Sequence, residues 1–370
     1  MGLSDCDFLD RIRESITRCQ DLNCLLGFDG TVDVICKPIE RRDWKDGTVE
    51  AFSRIKDFGQ RIVDADDKSA LIEIVPETEK IGGNGPIMAN ALAASVGRVD
   101  YIGPLGKPEL HEAFASFAER VGAHSIGKPA VTHALEFTNG KVMLSSISSY
   151  AELDETVLIS ELGDDALREL IANAQLCCVL NWTCFSRLDR ILDWILDTIL
   201  PPLGEGKNRT FFFDLSDPSA RSEDELRDVL GQISRFARYG QCVLGMNLNE
   251  AIQVSKALGL EPPESQADSL KTALSAIREK LGIDVAMGHP THFAACATAE
   301  GSWAVDGPYT EDPKITTGAG DHLNAGFCLG LALELSMEDA LRVGVLFSGY
   351  YVRDAAPPSL AELIRFAEEL

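Results

Sequence analysis

Four short stretches of this chain carry residues whose types and spacing could do chemistry. The first is ITTGAGDHLNAGF, residues 315–327. Gly318, Ala319 and Gly320 close a tight turn ahead of an apolar, helix-forming run, and Asp321 follows at once. The start of a helix leaves backbone N–H groups unpaired and carries a partial positive charge, which suits an incoming anion. Three amides aimed at one point beside a carboxylate suit phosphoryl transfer. The amides offset charge on the moving group while the carboxylate accepts the proton of the attacking hydroxyl. An ordinary helix with an acidic first turn would read the same way, so this motif needs company.

The second stretch is LGMNLNEA, residues 244–251, in which Asn247 and Glu250 stand three apart after an apolar strand. An amide and a carboxylate there could hold the water shell of a Mg²⁺ riding on nucleotide phosphates, and equally could be a helix cap. The third is IGGNGPIMANALAASVG, residues 81–97, where Gly82 and Gly83 allow close approach to the backbone before an Ala-rich helix. The fourth is GFDGTVDVI, which sets Asp33 inside an apolar strand. A carboxylate in that setting needs a partner, which sugar hydroxyls or a salt bridge would supply.

These residues need a scaffold, and the 370-residue chain is long enough to build one. Its 45% hydrophobic content permits a sizeable core. Short apolar runs (CLLGF, VDYIG, LCCVLNW, TFFFDLS, CVLGMN, DVAMG) read as buried strands. Helical patterns lie between them, including a capping box at Ser222 and Glu225. The alternation predicts an α/β fold with a mostly parallel sheet covered on both faces. Residues 31–37, 71–75 and 134–147 look like strands of a second, smaller sheet, and residues 38–69 read as an inserted helix. After Asp321 the chain reads as helical almost to its end, with an interruption at Pro357 and Pro358.

A formal net charge of −24 disfavours nucleic acid and anionic membrane surfaces as partners. It also means that a phosphate site must be made from amides, a local cation or a metal. The ten cysteines include no CxxC pair, which fits free thiols in a reducing compartment. No signal-like start or membrane-length apolar segment is present, and the expected location is cytoplasmic.

In order along the chain, the early Asp33, the Gly82–Gly83 pair, Asn247-x-x-Glu250 and TTGAGD together resemble the ribokinase-like PfkB family of carbohydrate kinases. The resemblance runs from about residue 22 to residue 355. It implies one ribokinase-like domain over 1–370, a three-layer sandwich with a small β-sheet lid, transferring phosphate from MgATP to a sugar hydroxyl. By matching positions, Asp321 is the expected general base, and Gly318, Ala319 and Gly320 the anion hole. Asp33, Gly82, Gly83 and the adjacent Asn84 are expected at the sugar. Asn247, Glu250, Thr317 and Gly288 are expected on the nucleotide and Mg²⁺–phosphate side.

The sequence departs from that family in two places. Ile315 stands where an aspartate associated with a monovalent-cation site is common, so potassium activation is not carried over. MGHPTHFAA replaces the usual T-x-G-x-x-G, so Gly288, His289 and Thr291 present a different edge to the nucleotide. The 38–69 segment is expected to reshape the lid or form a homodimer contact. Three other readings stay open: a nucleoside kinase, a dehydratase on the same scaffold, and a catalytically silent sugar-binding protein. Lid aromatics that stack on a base would favour the nucleoside, and Phe28 and Phe137 are the nearest candidates. A dinucleotide-dependent dehydrogenase is disfavoured, because no G-x-G-x-x-G follows CLLGF.

Overall fold

The computed structural model describes residues 2–206 and 208–370. Its strands in chain order are β1 (Asn23–Gly27), β2 (Thr31–Arg42), β3 (Val49–Ala51), β4 (Glu73–Gly82), β5 (Arg98–Gly103), β6 (Gly122–Ser125) and β7 (Ala130–Phe137). They continue as β8 (Gly140–Ser146), β9 (Leu176–Leu180), β10 (Thr210–Asp214), β11 (Gln241–Met246), β12 (Val285–Gly288), β13 (Phe293–Ala297) and β14 (Ser302–Asp306).

The larger sheet has nine strands in the order β14-β13-β12-β11-β10-β9-β1-β5-β6. Neighbours from β12 across to β6 are parallel, and β13 and β14 add an antiparallel edge. The apolar runs become the central strands because both of their faces are covered. Leu26, Cys178, Phe212 and Val243 join one core, while their sequence neighbours Leu25, Cys177, Phe211 and Leu244 join the other. Helices Cys6–Cys19, Asn84–Ala93, Ala319–Ala332 and Met337–Asp354 close the first core. Helices Glu223–Phe236 and Ala267–Leu281 are among those closing the second. The helix from Glu223 opens with the expected Ser222–Glu225 capping box. The C-terminal region is helical as read, in three segments, with Ser336 and Ser359 capping the last two. Among the described residues, no helix is long and apolar enough to cross a membrane.

The smaller sheet corrects three boundaries. The strand read at 31–37 continues as β2 to Arg42, so the segment 38–69 is not a helix throughout. It holds the end of β2, then β3, and only then a helix over Ile55–Val63. Phe52 and Phe58 meet edge to face across the start of that helix, with ring centres 5.6 Å apart. The strand read at 71–75 is β4, displaced to Glu73–Gly82, and Leu71 is left exposed. Pro76 masks it: proline cannot donate to a ladder, and here it sits at a register shift opposite Cys36. The hairpin read at 134–147 is β7 and β8, joined through Thr138 and Asn139 and starting earlier, at Ala130.

One edge of β2 pairs with β4. The other pairs in parallel with β7 along its first half and antiparallel with β3 at its end. β2 begins four residues after β1 ends, and β4 ends two residues before the Asn84–Ala93 helix. The smaller sheet therefore grows directly from the carboxyl end of the larger one. In open α/β sheets that end is where ligands bind.

Candidate active site

The turn after β4 brings three consecutive residues against three carboxylates. A side chain at Gly82 would overlap the carboxylate of Asp33, and one at Gly83 would overlap that of Asp29. The next residue, Asn84, donates from Nδ2 to Asp321 Oδ1 at 3.0 Å. Gly83 also has φ +91°, a left-handed conformation that side chains disfavour. The paired glycines are thus required by packing as well as by backbone geometry.

Asp29, which sequence reasoning passed over, anchors this turn. Its Oδ1 accepts from the Gly85 amide at 2.9 Å and from Tyr101 OH at 3.1 Å, and its Oδ2 accepts from Asn181 Nδ2 at 2.9 Å. Burial raises its pKa, against the hydrogen bonds from Asn181, Gly85 and Tyr101, which lower it. Asp214 at the end of β10 was also missed. It accepts from the Ser216 amide at 2.8 Å and from Asn324 Nδ2 at 2.7 Å. Ser216 Oγ in turn donates to Asn84 Oδ1 at 3.0 Å, so both ends of the Asn84 amide are fixed. The available signal was a lone acid closing an apolar strand, in TFFFD and in CLLGFD.

Asp321 occupies the first turn of the Ala319–Ala332 helix and is buried. Its pKa stands well above the usual carboxylate range, first through burial and then through the negative charge of Asp214. A carboxylate with raised proton affinity is suited to taking a proton from a hydroxyl. Gly318 caps the helix at φ +91°. The Ala319 amide is turned onto Thr316 O at 3.2 Å, whereas the Gly318, Gly320 and Asp321 amides make no backbone hydrogen bond among the described residues. Thr317 O accepts from Tyr351 OH at 3.0 Å, and Gly318 O accepts from His322 Nδ1 at 2.8 Å. The His322 and Tyr351 rings stack 3.6 Å apart behind the turn.

His322 must carry its proton on Nδ1, because its partner is a carbonyl. Burial lowers its pKa to about 4, so the folded protein holds it neutral. The unfolded chain binds that proton from about pH 6.5 downward. Its contribution to stability is therefore full above that pH and is lost as the pH falls to about 4, by up to roughly 3 kcal/mol. Urea titrations of wild type and His322→Asn at pH 7 and pH 4.5 should show the stability gap between them narrowing at the lower pH. A constant gap would mean that His322 does not titrate in this way.

Asn247 and Glu250 form a full capping box at the helix Leu248–Ala257. The Asn247 amide donates to Glu250 Oε2 at 2.8 Å, and Glu250 donates its own amide to Asn247 Oδ1 at 3.0 Å. Glu250 is buried, and its pKa is raised by that burial and by Asp214. Asn247 borders a cavity of about 580 Å³, together with His289, Thr291, Tyr309, Thr316 and Gly320. This volume lies against the turn that carries the free amides. Gly288 lies one residue short of the cavity wall and faces Leu270 instead. Thr317 faces the smaller sheet, where Lys141 Nζ donates to its Oγ1 at 2.7 Å. Asp33 is buried on β2 and its pKa is raised by burial, against Lys80 and Lys141, which lower it.

The family model described as prokaryotic ketohexokinase matches residues 6–370. The chain belongs to the prokaryotic ketohexokinase family. A curated relative named ketohexokinase, from Haloferax volcanii, is 28% identical over 361 residues, covering 97% of this chain and 94% of that protein. Among solved structures, a putative sugar kinase from Clostridium perfringens aligns at TM-score 0.62 and 16% identity, over 94% of this chain and 96% of that one. Arabidopsis thaliana ribokinase complexed with ribose and ATP aligns at TM-score 0.63 and 14% identity, over 94% and 98%. An adenosine kinase from Sinorhizobium meliloti aligns at TM-score 0.63 and 18% identity, over 94% and 98%. At these identities the likeness establishes the fold, which is the ribokinase-like architecture with its separate small sheet. As a member of the prokaryotic ketohexokinase family, the protein is an ATP-dependent sugar kinase of the PfkB type.

Proposed function

We propose that this protein transfers the γ-phosphoryl group of ATP to a hydroxyl of a ketohexose, with Asp321 as the general base. The observation that carries this reading is the 3.0 Å hydrogen bond from Asn84 to Asp321. It joins the double-glycine turn, expected at the sugar, to the turn expected at the phosphate, across 237 positions of sequence. A hydroxyl held by Asn84 and Asp33 would lie within reach of the base. Gly82 and Gly83 leave room for the sugar at the backbone.

In the transfer, the hydroxyl oxygen bonds to the γ-phosphorus as the bond from that phosphorus to the β,γ-bridging oxygen breaks. The hydroxyl proton passes to Asp321, and ADP leaves with the bridging oxygen. The Gly318 and Gly320 amides offset charge on the phosphoryl group in flight. The cavity beside Gly320 and Asn247 suits the nucleotide.

Among the described residues, no group of three or more His, Cys, Asp or Glu is disposed to hold a metal ion. Asn247 and Glu250 already satisfy each other, so this pair fits a Mg²⁺ held through water and nucleotide phosphates. Such an ion would neutralise phosphate charge in a protein of net charge −24.

The aromatic candidates favour a sugar over a nucleoside. Phe28 is buried in the second core, and Phe137 packs against Phe58 with ring centres 5.4 Å apart. Phe28 has no open face for a base, and the half-buried Phe137 is already packed on another ring. The test is ADP release from MgATP over a panel of ketohexoses, aldohexoses, ribose and adenosine, with ³¹P spectra of the product. Ketohexose-dependent release with a matching sugar phosphate supports the proposal. Release with adenosine alone would replace it with the nucleoside reading. Sugar binding without any turnover would favour the silent one.

A further inference from the structure

The turn that carries the free amides is held from behind by a tyrosine of another helix. Tyr351 lies near the end of the helix Met337–Asp354, and its hydroxyl donates to Thr317 O at 3.0 Å. Among the described residues no backbone amide donates to that carbonyl. His322, next to Asp321, donates from Nδ1 to Gly318 O at 2.8 Å. The two rings stack 3.6 Å apart and only 12° from parallel. Two consecutive carbonyls of the turn therefore end on one aromatic pair.

A trans peptide unit is flat, and its carbonyl and N–H point in opposite directions. The Thr317–Gly318 bond is trans. Holding Thr317 O on the Tyr351 hydroxyl therefore aims the Gly318 N–H away from Tyr351. That amide makes no backbone hydrogen bond among the described residues. Gly318 has no side chain to restrain the unit, so the hold must come from outside it. The fit there is close: a methyl added at Gly318 would meet Tyr351 OH and Ile87 Cγ2, each at 3.2 Å. Tyr351 is buried, and its pKa is pushed up to about 12, first by burial and then by the charge of Asp321. The hydroxyl thus keeps its proton and remains a donor.

We propose that Tyr351 is a positioning residue for phosphoryl transfer: its hydroxyl, braced by the His322 ring, fixes the Thr317–Gly318 peptide so that the Gly318 amide faces the phosphoryl group in flight. This rests on the reading of Asp321 and the Gly318–Gly320 turn as the transfer centre. Tyr351 acts through the peptide rather than on a substrate. An amide held in place beforehand does not have to reorient as charge develops. Without the hydroxyl, Thr317 O loses its donor and the peptide unit is free to rotate at Gly318. The alternative is that the hydroxyl only ties the turn to the helix Met337–Asp354, stabilising the fold without bearing on transfer.

Tyr351→Phe removes the hydroxyl and keeps the stacked ring. Steady-state kinetics and calorimetry on this variant and wild type separate the two roles. The calorimetry compares MgADP–aluminium fluoride, a mimic of the phosphoryl group in transfer, with MgADP alone, each with a ketohexose present. The expected kcat is lower by about 5- to 20-fold, less than for outright loss of an anion-hole donor, with KM for both substrates little changed. The fluoride complex should weaken by a similar factor while MgADP binds as it does to wild type. Unchanged kcat, or equal weakening of the two complexes, would overturn the proposal and leave the hydroxyl a structural tie. His322→Ala removes the brace and leaves the hydroxyl. It should give the same selective loss at smaller size, and the same criteria apply to it if Tyr351→Phe does not fold. Asp321→Asn run alongside tests the underlying reading. Wild-type turnover in that variant would remove the transfer centre, whatever Tyr351 does.

Discussion

Asp321→Asn should lower kcat by about 10²- to 10⁴-fold, the range expected for removal of a general base, with little change in KM for either substrate. The substitution is nearly isosteric, and asparagine keeps an oxygen to accept from Asn84 Nδ2, so the 3.0 Å contact survives. Stability should move the other way. The native environment raises the Asp321 pKa through burial and through Asp214, so its ionised form costs stability at neutral pH. By linkage, that cost is absent below the unfolded value near 3.9 and grows as the pH rises above it. Asparagine removes it, and the unliganded variant should melt at or above the wild-type temperature. Steady-state kinetics with a thermal melt at pH 7 checks both arms. Full activity in the variant would exclude Asp321 as the base.

Gly83→Ala should destabilise the protein by about 2–5 kcal/mol and lower turnover with it. Two costs add. Holding alanine at φ +91° costs about 1–2 kcal/mol, and forcing a methyl into an occupied volume costs about 1–3 kcal/mol. The occupant is Asp29 Oδ2, which cannot retreat because Gly85, Tyr101 and Asn181 hold its carboxylate on both oxygens. Gly163→Ala isolates the backbone cost, since Gly163 has φ +81° with nothing within 4 Å of an added methyl. Urea denaturation of the two variants should show Gly83→Ala losing clearly more than Gly163→Ala. Equal losses would mean that Asp29 does not fix this turn.

The central sheet was legible in the sequence because strands buried on both faces read as unbroken apolar runs. TFFFD and LCCVL are such runs, and the structure sends alternate residues of each to different cores. The smaller sheet was harder to read. Its strands carry charges and expose one face, and Pro76 interrupts β4 at a register shift that only its pairing with Cys36 reveals. The 38–69 segment misled for a related reason: Phe52, Ile55, Phe58 and Ile62 fall at helical spacing, yet the helix begins only at Ile55 and Phe52 follows a strand. In the site, TTGAGD and the double glycine stood out because glycine placement is local and chemical. Asp29, Asp214, Asn181 and Asn324 did not, because each is an ordinary residue at the end of an element or within one. Their significance comes from hydrogen bonds that span 56 to 152 positions. Lys141 was hidden in the same way, since its partner Thr317 lies 176 positions away.

The attachment of the five-stranded sheet has a mechanical consequence. β2 leaves β1 through residues 28–30, and β4 delivers the chain to Asn84 through Gly83 alone. The sheet is also tied to the rest of the chain through residues 126–129 before β7 and through residue 147 after β8, but only the Gly83 link abuts Asn84. The sheet then works as a lever whose short arm ends on the amide that touches Asp321. On the proposed reading of Asp321 as the base, a displacement of that sheet is carried through Gly83 to the Asn84–Asp321 contact. On that reading, the seating of the smaller sheet and the placement of the base are linked through a single residue, Gly83.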